Sequence, residues 1–206
     1  MHSAHDVLEF WFGRAPFDAA RLEERSTFWF GGDGAAALAS RDALIRERLE
    51  PMLERAARGE FASWAASPKR RLALIILFDQ VPRNAYRGTA AAFAFDREAL
   101  QLAVEGRQLA ADAALDPVER LFFYLPLEHA ESLEAQDAAV AAFERLLAEA
   151  PAELRDFCAG TLEYARLHRE IIARFGRFPH RNAALARESS AAEREWLASA
   201  GNPFGQ

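Results

Sequence analysis

The segment that most constrains how this chain can fold runs from Leu72 to Gly88, LALIILFDQVPRNAYRG. Its first seven residues, Leu72 to Phe78, form the longest uninterrupted apolar run in the sequence. A run of that kind belongs in a core, yet it leads directly into Asp79, Gln80, Arg83, Asn84 and Arg87. Burying polar and charged groups is costly unless each finds a partner. The fold must therefore bring partners, from elsewhere in the chain or from a ligand, to the end of a core helix.

Helix-start signals recur along the chain, while the apolar–polar alternation of strands is nearly absent. The expectation is an all-α protein of about nine helices with short connections, arranged as stacked antiparallel pairs in a solenoid or irregular bundle. Asp6 and Asp18 are the expected caps of two aromatic helices, the second ending at Phe28, Trp29 and Phe30 before Gly31 and Gly32. A longer helix from Asp33 toward Arg58 should turn Leu38, Leu44, Ile45, Leu49 and Leu53 inward, with Pro51 kinking or splitting it. Ser67–Pro68 marks the start of the helix that carries Leu72 to Gln80, and Pro82 its stop. Thr89 or Asp96 opens the next, with Leu100, Val104 and Leu109 on the buried side. Asp116-Pro117-x-Glu119 opens another, through Leu121, Phe122 and Leu125, bent at Pro126. Leu133 to Ala150, with Val140, Phe143, Leu146 and Leu147 inward, should form a hairpin with the long helix that ends at Phe175–Gly176. Ser190 and Glu193 read as a capping box before Trp196 and Leu197, and Asn202 to Gln206 as a frayed tail. No low-complexity linker or strict repeat divides the chain, so residues 1–206 read as a single domain.

Composition narrows the partners. With 51% hydrophobic and 27% charged residues, 16 Phe and 4 Trp, the chain has material for a sizeable core. A formal net charge of -6 argues against nucleic acid or an anionic membrane as partner, because both are recognised through a basic footprint. The N-terminus MHSAHDVLEFWFG lacks a basic n-region, so a signal peptide is not expected. A seven-residue apolar run is far short of the roughly 20 needed to span a bilayer. One cysteine, Cys158, suits a reducing, cytoplasmic setting and reads as a small core residue.

Three groups of residues could carry chemistry. The first is Asp79, Gln80, Arg83, Asn84 and Arg87, in which Asp79 and Arg83 stand four residues apart and can pair on a helix. As a functional unit this is an arginine fork for a carboxylate or phosphate; as a structural unit it is an internal ionic brace. The second is the bend after Pro126, where His129 continues the stripe of Phe122 and Leu125 and has Glu128 and Glu131 beside it. The third is His168, on a face with Tyr164, Ile172 and Phe175, followed by the turn His180-Arg181-Asn182. Each histidine is either a proton-transfer group or a core residue bonded to a backbone carbonyl or to Glu128 or Glu131. Val81-Pro82-Arg83-Asn84-Ala85 is echoed by Phe178-Pro179-His180-Arg181-Asn182-Ala183, which would aim both arginines at one centre. His129, His168, His180, Asp79 and Glu131 lack the spacing of an H-x-x-x-H or H-E-x-x-H site, and no P-loop or G-x-G-x-x-G is present. No metal or cofactor is expected.

With these residues in view the chain resembles the bacterial family called domain of unknown function 924. The likeness rests on VLEFWFG at 7–13, LALIILFDQVPRNAYRG at 72–88, AFAFD at 92–96, LFFYLPLEHAE at 121–131 and FGRFPHRNAAL at 175–185. It implies a tetratricopeptide-like helical fold and a hot region, but no reaction. The family pattern has Ser where this chain has Ala130, which weakens any serine nucleophile there, and Gly where it has Ala186. Two readings follow. One is a pocket for a small carboxylate or phosphate lined by Asp79, Arg83, Asn84, His129, Glu131, His168, His180, Arg181 and Asn182, with His129 or His168 as acid or base if it is catalytic. The other is an adaptor for a protein or peptide, in which the same residues brace the scaffold.

Overall fold

A computed structural model of the protein describes residues 3–13 and 19–200. The described residues are helical, with no strand among them. Nine helices follow one another: α1 (Ala4–Phe12), α2 (Ala19–Phe30), α3 (Ala35–Ala57), α4 (68–85), α5 (Asp96–Gln108), α6 (Pro117–Glu128), α7 (Leu133–Glu149), α8 (Arg155–Phe175) and α9 (Ala191–Ala200). Short 3₁₀ turns, including Ala90–Phe93 and Pro179–Arg181, lie between them. The expected caps at Asp18 and the tail from Asn202 to Gln206 fall outside the described residues.

Helix α4 is the axis of the fold. Every residue from Arg71 to Ala85 is buried, and α1, α3, α5 and α6 pack around it. Pro82 does not stop this helix, contrary to the expectation from sequence. The helix is α-helical over Pro68–Ile75, opens into a π-helical turn over Ile76–Gln80 and closes with a last α-helical turn, Val81–Ala85. A proline within a regular α-helix loses one backbone hydrogen bond and clashes with the carbonyl four residues back. The wider π turn shifts the bonding by one residue, with Val81 N–H reaching the Ile76 carbonyl, and lets the chain stay helical through Pro82. Pro51 likewise sits inside an unbroken α3.

The rest of the core follows from aromatic packing and close approach. Trp11, Phe12 and Trp29 meet Phe122 of α6 edge-on, with ring centroids 5.7, 5.3 and 4.8 Å away, and Trp29 Nε1 donates to the Trp11 carbonyl at 2.9 Å. Ser3, rather than Asp6, is the N-cap of α1; Asp6 completes the capping box by accepting from the Ser3 backbone. Leu44 is 40% exposed while Ile45, Leu49 and Leu53 of the same helix are buried, because the apolar stripe of α3 turns away from Leu44. Helix α5 departs furthest from expectation. Val104 is 38% and Leu109 71% exposed, and the buried face is Ala99, Ala103 and Gly106. Small residues let α5 lie close against α4 and α6: a Cβ on Gly106 would run into the Phe123 ring and come 2.7 Å from Arg71 Cδ. Arg71, itself buried, donates to the Leu102 carbonyl at 2.9 Å and ties the two helices together.

Helices α6, α7 and α8 stack in sequence, α7 touching both neighbours, which is the expected hairpin. Tyr164 lies outside the buried face of α8, at 55% exposure, whereas His168 is buried. Gly176, with φ +70°, ends α8 in the left-handed region. Ile171, Ile172 and Phe178 then form a small second core with Trp196 of α9, and Ser190 and Glu193 make the expected capping box.

The tight contact at Gly106 gives a measurable contrast. Gly106→Ala should destabilise the protein by about 1–3 kcal/mol through overpacking. Gly160→Ala, in α8 where a Cβ would meet nothing within 4 Å, should stabilise it by about 0.5–1 kcal/mol. Urea denaturation of the two variants should therefore move in opposite directions.

Candidate functional site

The π turn of α4 presents Asp79 to the interior, where it is fully buried. Its Oδ1 lies 2.7 Å from His129 Nδ1 and 3.2 Å from Arg83 Nη1, and its Oδ2 accepts from Gln80 Nε2 at 2.6 Å. Burial alone would raise the Asp79 pKa. The Arg83 charge and the His129 contact outweigh it and hold the carboxyl well below the usual carboxylate range. An ionised Asp79 can only accept, so the proton of His129 sits on Nδ1 and leaves Nε2 as the basic nitrogen. Burial, reinforced by the Arg83 charge, lowers the His129 pKa and keeps the ring neutral.

The two arginines of the sequence echo do meet at one centre. Arg83 Nη1 and Nη2 donate to the two oxygens of Asp96 at 2.7 and 3.0 Å, and Nη1 also reaches the Asp79 carbonyl at 2.9 Å. Arg181 Nη1, from the turn Pro179–Arg181, donates to Asp96 Oδ2 at 3.3 Å and to the His129 carbonyl at 3.1 Å. The Phe93 ring lies against both guanidiniums, 5.7 Å from Arg83 and 4.7 Å from Arg181, and Phe178 lies 4.4 Å from Arg181. Arg83 Nε and Arg181 Nε are buried without a hydrogen-bond partner. Burial and the neighbouring Arg83 charge bring the Arg181 pKa down to about 10.

The asparagines do not converge with them. Asn84 Nδ2 donates to the Gln80 carbonyl at 2.8 Å, and its Oδ1 accepts from Arg87, which pairs with Asp42 of α3. Asn182 donates to Ser189 Oγ at 3.1 Å and accepts from Arg187 Nε at 3.0 Å. Asn84 thus holds local backbone, and Asn182 ties together side chains of the turn that follows it.

Around the bend after α6, the acids divide their work. Glu131 does not orient His129: it accepts from Arg187 at 2.7 and 2.9 Å and from the Phe178 backbone at 2.8 Å. The turn that delivers Arg187 places Ala186 at φ +52°, the position where the family resemblance has Gly. His168 Nδ1 lies 2.8 Å from the Tyr164 carbonyl and 3.1 Å from Glu128 Oε1. A carbonyl only accepts, so this nitrogen also carries the proton. Burial, followed by the Asp79 charge, pushes the Glu128 carboxyl up to about 8, so it is neutral at pH 7. The His129 and His168 rings are 6.2 Å apart. Burial holds the His168 pKa well below its ordinary value, and burial followed by the Arg181 charge takes His180 down to about 3.

The structure thus brings Asp79, Arg83, His129, His168 and Arg181 together, with Glu131 and His180 at the edge. It adds Asp96, Phe93 and Arg187, which sequence reasoning did not place in the site, and Glu128, which the sequence offered only as a histidine partner. Asp96 had a signal, the motif AFAFD, but it read as a helix start. Asp79, Asp96 and Glu131 are matched by Arg83, Arg181 and Arg187. Two surface clefts of about 770 and 520 Å³, beside α1 and between α5 and α7, are lined by none of these residues. Among the described residues no group of three or more His, Cys, Asp or Glu is placed to hold a metal ion, and no helix is long and apolar enough to cross a membrane.

Comparison with protein families matches residues 7–201 to one described as a bacterial protein of unknown function, DUF924. A solved structure from Agrobacterium tumefaciens, described as a protein of unknown function, is 35% identical, with a TM-score of 0.78 over 95% of this chain and 97% of that one. Comparison with curated proteins finds no match.

The neutral Glu128 fixes a pH dependence. Its folded-state pKa of about 8 lies above the unfolded value of 4.5, so the stability tied to its neutral form is complete below about pH 4.5 and is lost as pH rises through 8. Glu128→Gln keeps a neutral side chain at every pH. The stability difference between variant and wild type should therefore grow in the variant's favour between pH 5 and 8, by up to about 1.4 kcal/mol per pH unit. Chemical denaturation across that range measures it.

Proposed function

We propose, starting from the chain's membership of the DUF924 family of bacterial proteins, that its polar centre is a binding site for a small anion, held in a closed state. The observation that carries the reading is the convergence of two buried guanidiniums on one carboxylate while both of their Nε donors lack partners. A group assembled only to hold helices together is better served by saturating its donors, since each unsatisfied buried group costs about 1–3 kcal/mol. Asp79 sits on a π-helical turn, an element found often at functional sites. Beside the arginines stands His129, neutral, its Nδ1 fixed by Asp79 and its Nε2 left as acceptor. In a catalytic version of the site, His129 is the base and Asp79 its positioning residue.

The competing reading is an adaptor for a protein or peptide in which the cluster is a brace. The matching of three carboxylates by three guanidiniums favours it, because a balanced internal network needs no ligand. The two readings part on ligand response. Inorganic phosphate and malonate serve as probes in thermal unfolding. For an anion site, a probe at ten times its Kd should stabilise the wild type by about 1.4 kcal/mol, roughly 3 °C in a chain of this size. Arg181→Gln and His129→Ala should unfold at lower temperature and lose the response. Wild type that responds to neither probe would leave the brace as the role of the cluster.

A further inference from the structure

We propose that the ligand of this site is a carboxylate, and that Asp96 is its built-in stand-in, occupying the arginine pair until a carboxylate from outside displaces it. This rests on the anion-site reading above and specifies its ligand.

The geometry around Asp96 is that of carboxylate recognition. Arg83 meets both oxygens with two different Nη atoms, at 2.7 and 3.0 Å, the fork-on-fork arrangement that matches a planar acceptor. Arg181 adds a third bond to Oδ2 at 3.3 Å. The flat ring of Phe93 lies against both guanidiniums, so the slot has an aromatic wall that offers nothing to the additional oxygens of a tetrahedral anion.

Charge points the same way. With Asp96 withdrawn and Glu131 still paired to Arg187, the centre holds Arg83 and Arg181 against a buried, ionised Asp79. That leaves one net positive charge. A monocarboxylate neutralises it, whereas a phosphate dianion would place excess negative charge near Asp79.

The partners differ in how readily each can leave. Arg83 is carried by the buried helix α4, and the Arg181 guanidinium lies against the rings of both Phe93 and Phe178; the two arginine side chains are 5% and 4% exposed. The Asp96 side chain is 25% exposed. It begins α5 just after the surface segment that runs from Gly88, φ +77°, through the 3₁₀ turn Ala90–Phe93. Asp96 is therefore the member that can swing out while the arginines stay. Tethered beside its site, it competes at an effective concentration in the millimolar range and weakens any free carboxylate in the intact protein.

The test is chemical rescue. Asp96→Ala opens the slot; Asp96→Asn, close in shape, is the second variant should the first fail to fold. Sodium acetate should bind Asp96→Ala at least tenfold more tightly than it binds wild type and recover most of its lost thermal stability. Sodium phosphate and chloride at equal ionic strength should bind at least tenfold more weakly than acetate, and Asp96→Ala/Arg181→Gln should not be rescued. Phosphate acting as well as acetate would overturn the carboxylate assignment and leave the anion site standing. Rescue of neither variant by any of these anions would overturn both. Equal acetate affinity in wild type and Asp96→Ala would overturn the role of Asp96 as competitor.

Discussion

The structure turns on one buried charge, the Asp79 carboxylate. A carboxylate with no exposure to water must be neutralised and hydrogen-bonded within the protein or give up its charge. Here it keeps its charge by drawing in Arg83 from its own helix and His129 from the bend after α6. Its second oxygen takes Gln80, the neighbour along the chain. The π turn is what aims Asp79 there while Pro82 remains inside the helix. The fold's central helix and the chemistry of its centre are therefore one construction.

From Asp79 the consequences spread outward. Its charge helps keep Glu128 neutral, and Glu128 in turn shares His168 Nδ1 with a backbone carbonyl. Arg83, anchored by Asp79, reaches Asp96, and Asp96 links the central helix to the turn bearing Arg181. Arg181 returns to the His129 carbonyl and closes the circuit. Three separate stretches of the chain, 79–96, 128–131 and 178–187, are thereby held about one centre. The arrangement is closed and nearly satisfied; its exceptions include the two arginine Nε atoms, and its Asp96 side chain is 25% exposed. In the proposed anion site, an incoming group would act there.

Much of this was legible in the sequence, and the failures have physical causes. Caps and prolines at Ser67, Asp116 and Ser190, together with helical periodicity, located the helices. The repeated Arg-Asn after a proline aimed Arg83 and Arg181 at one point, and both do reach Asp96, although Arg83 stays in the last α-helical turn of α4 and Arg181 sits in a 3₁₀ turn. Pro82 misled because a proline's local cost can be absorbed by a π turn when the surrounding core holds the helix together. In α5 side-chain size is no guide to burial, because close helix contact selects Ala99, Ala103 and Gly106. Asp96 escaped notice because an acid in a first turn has an adequate local reason to be there. Its long-range bonds cross 13 and 85 residues, separations that no local pattern encodes.

The central claim, that an ionised Asp79 orders its surroundings, is read most directly from the protonation of His129. Nitrogen-15 NMR of histidine-labelled protein distinguishes the two tautomers and follows the ring through pH. The account predicts that His129 carries its proton on Nδ1, with Nε2 bare, and takes up a second proton only below its ordinary value of 6.5. A ring protonated on Nε2, or one that takes up a second proton near the ordinary value of 6.5, would contradict it.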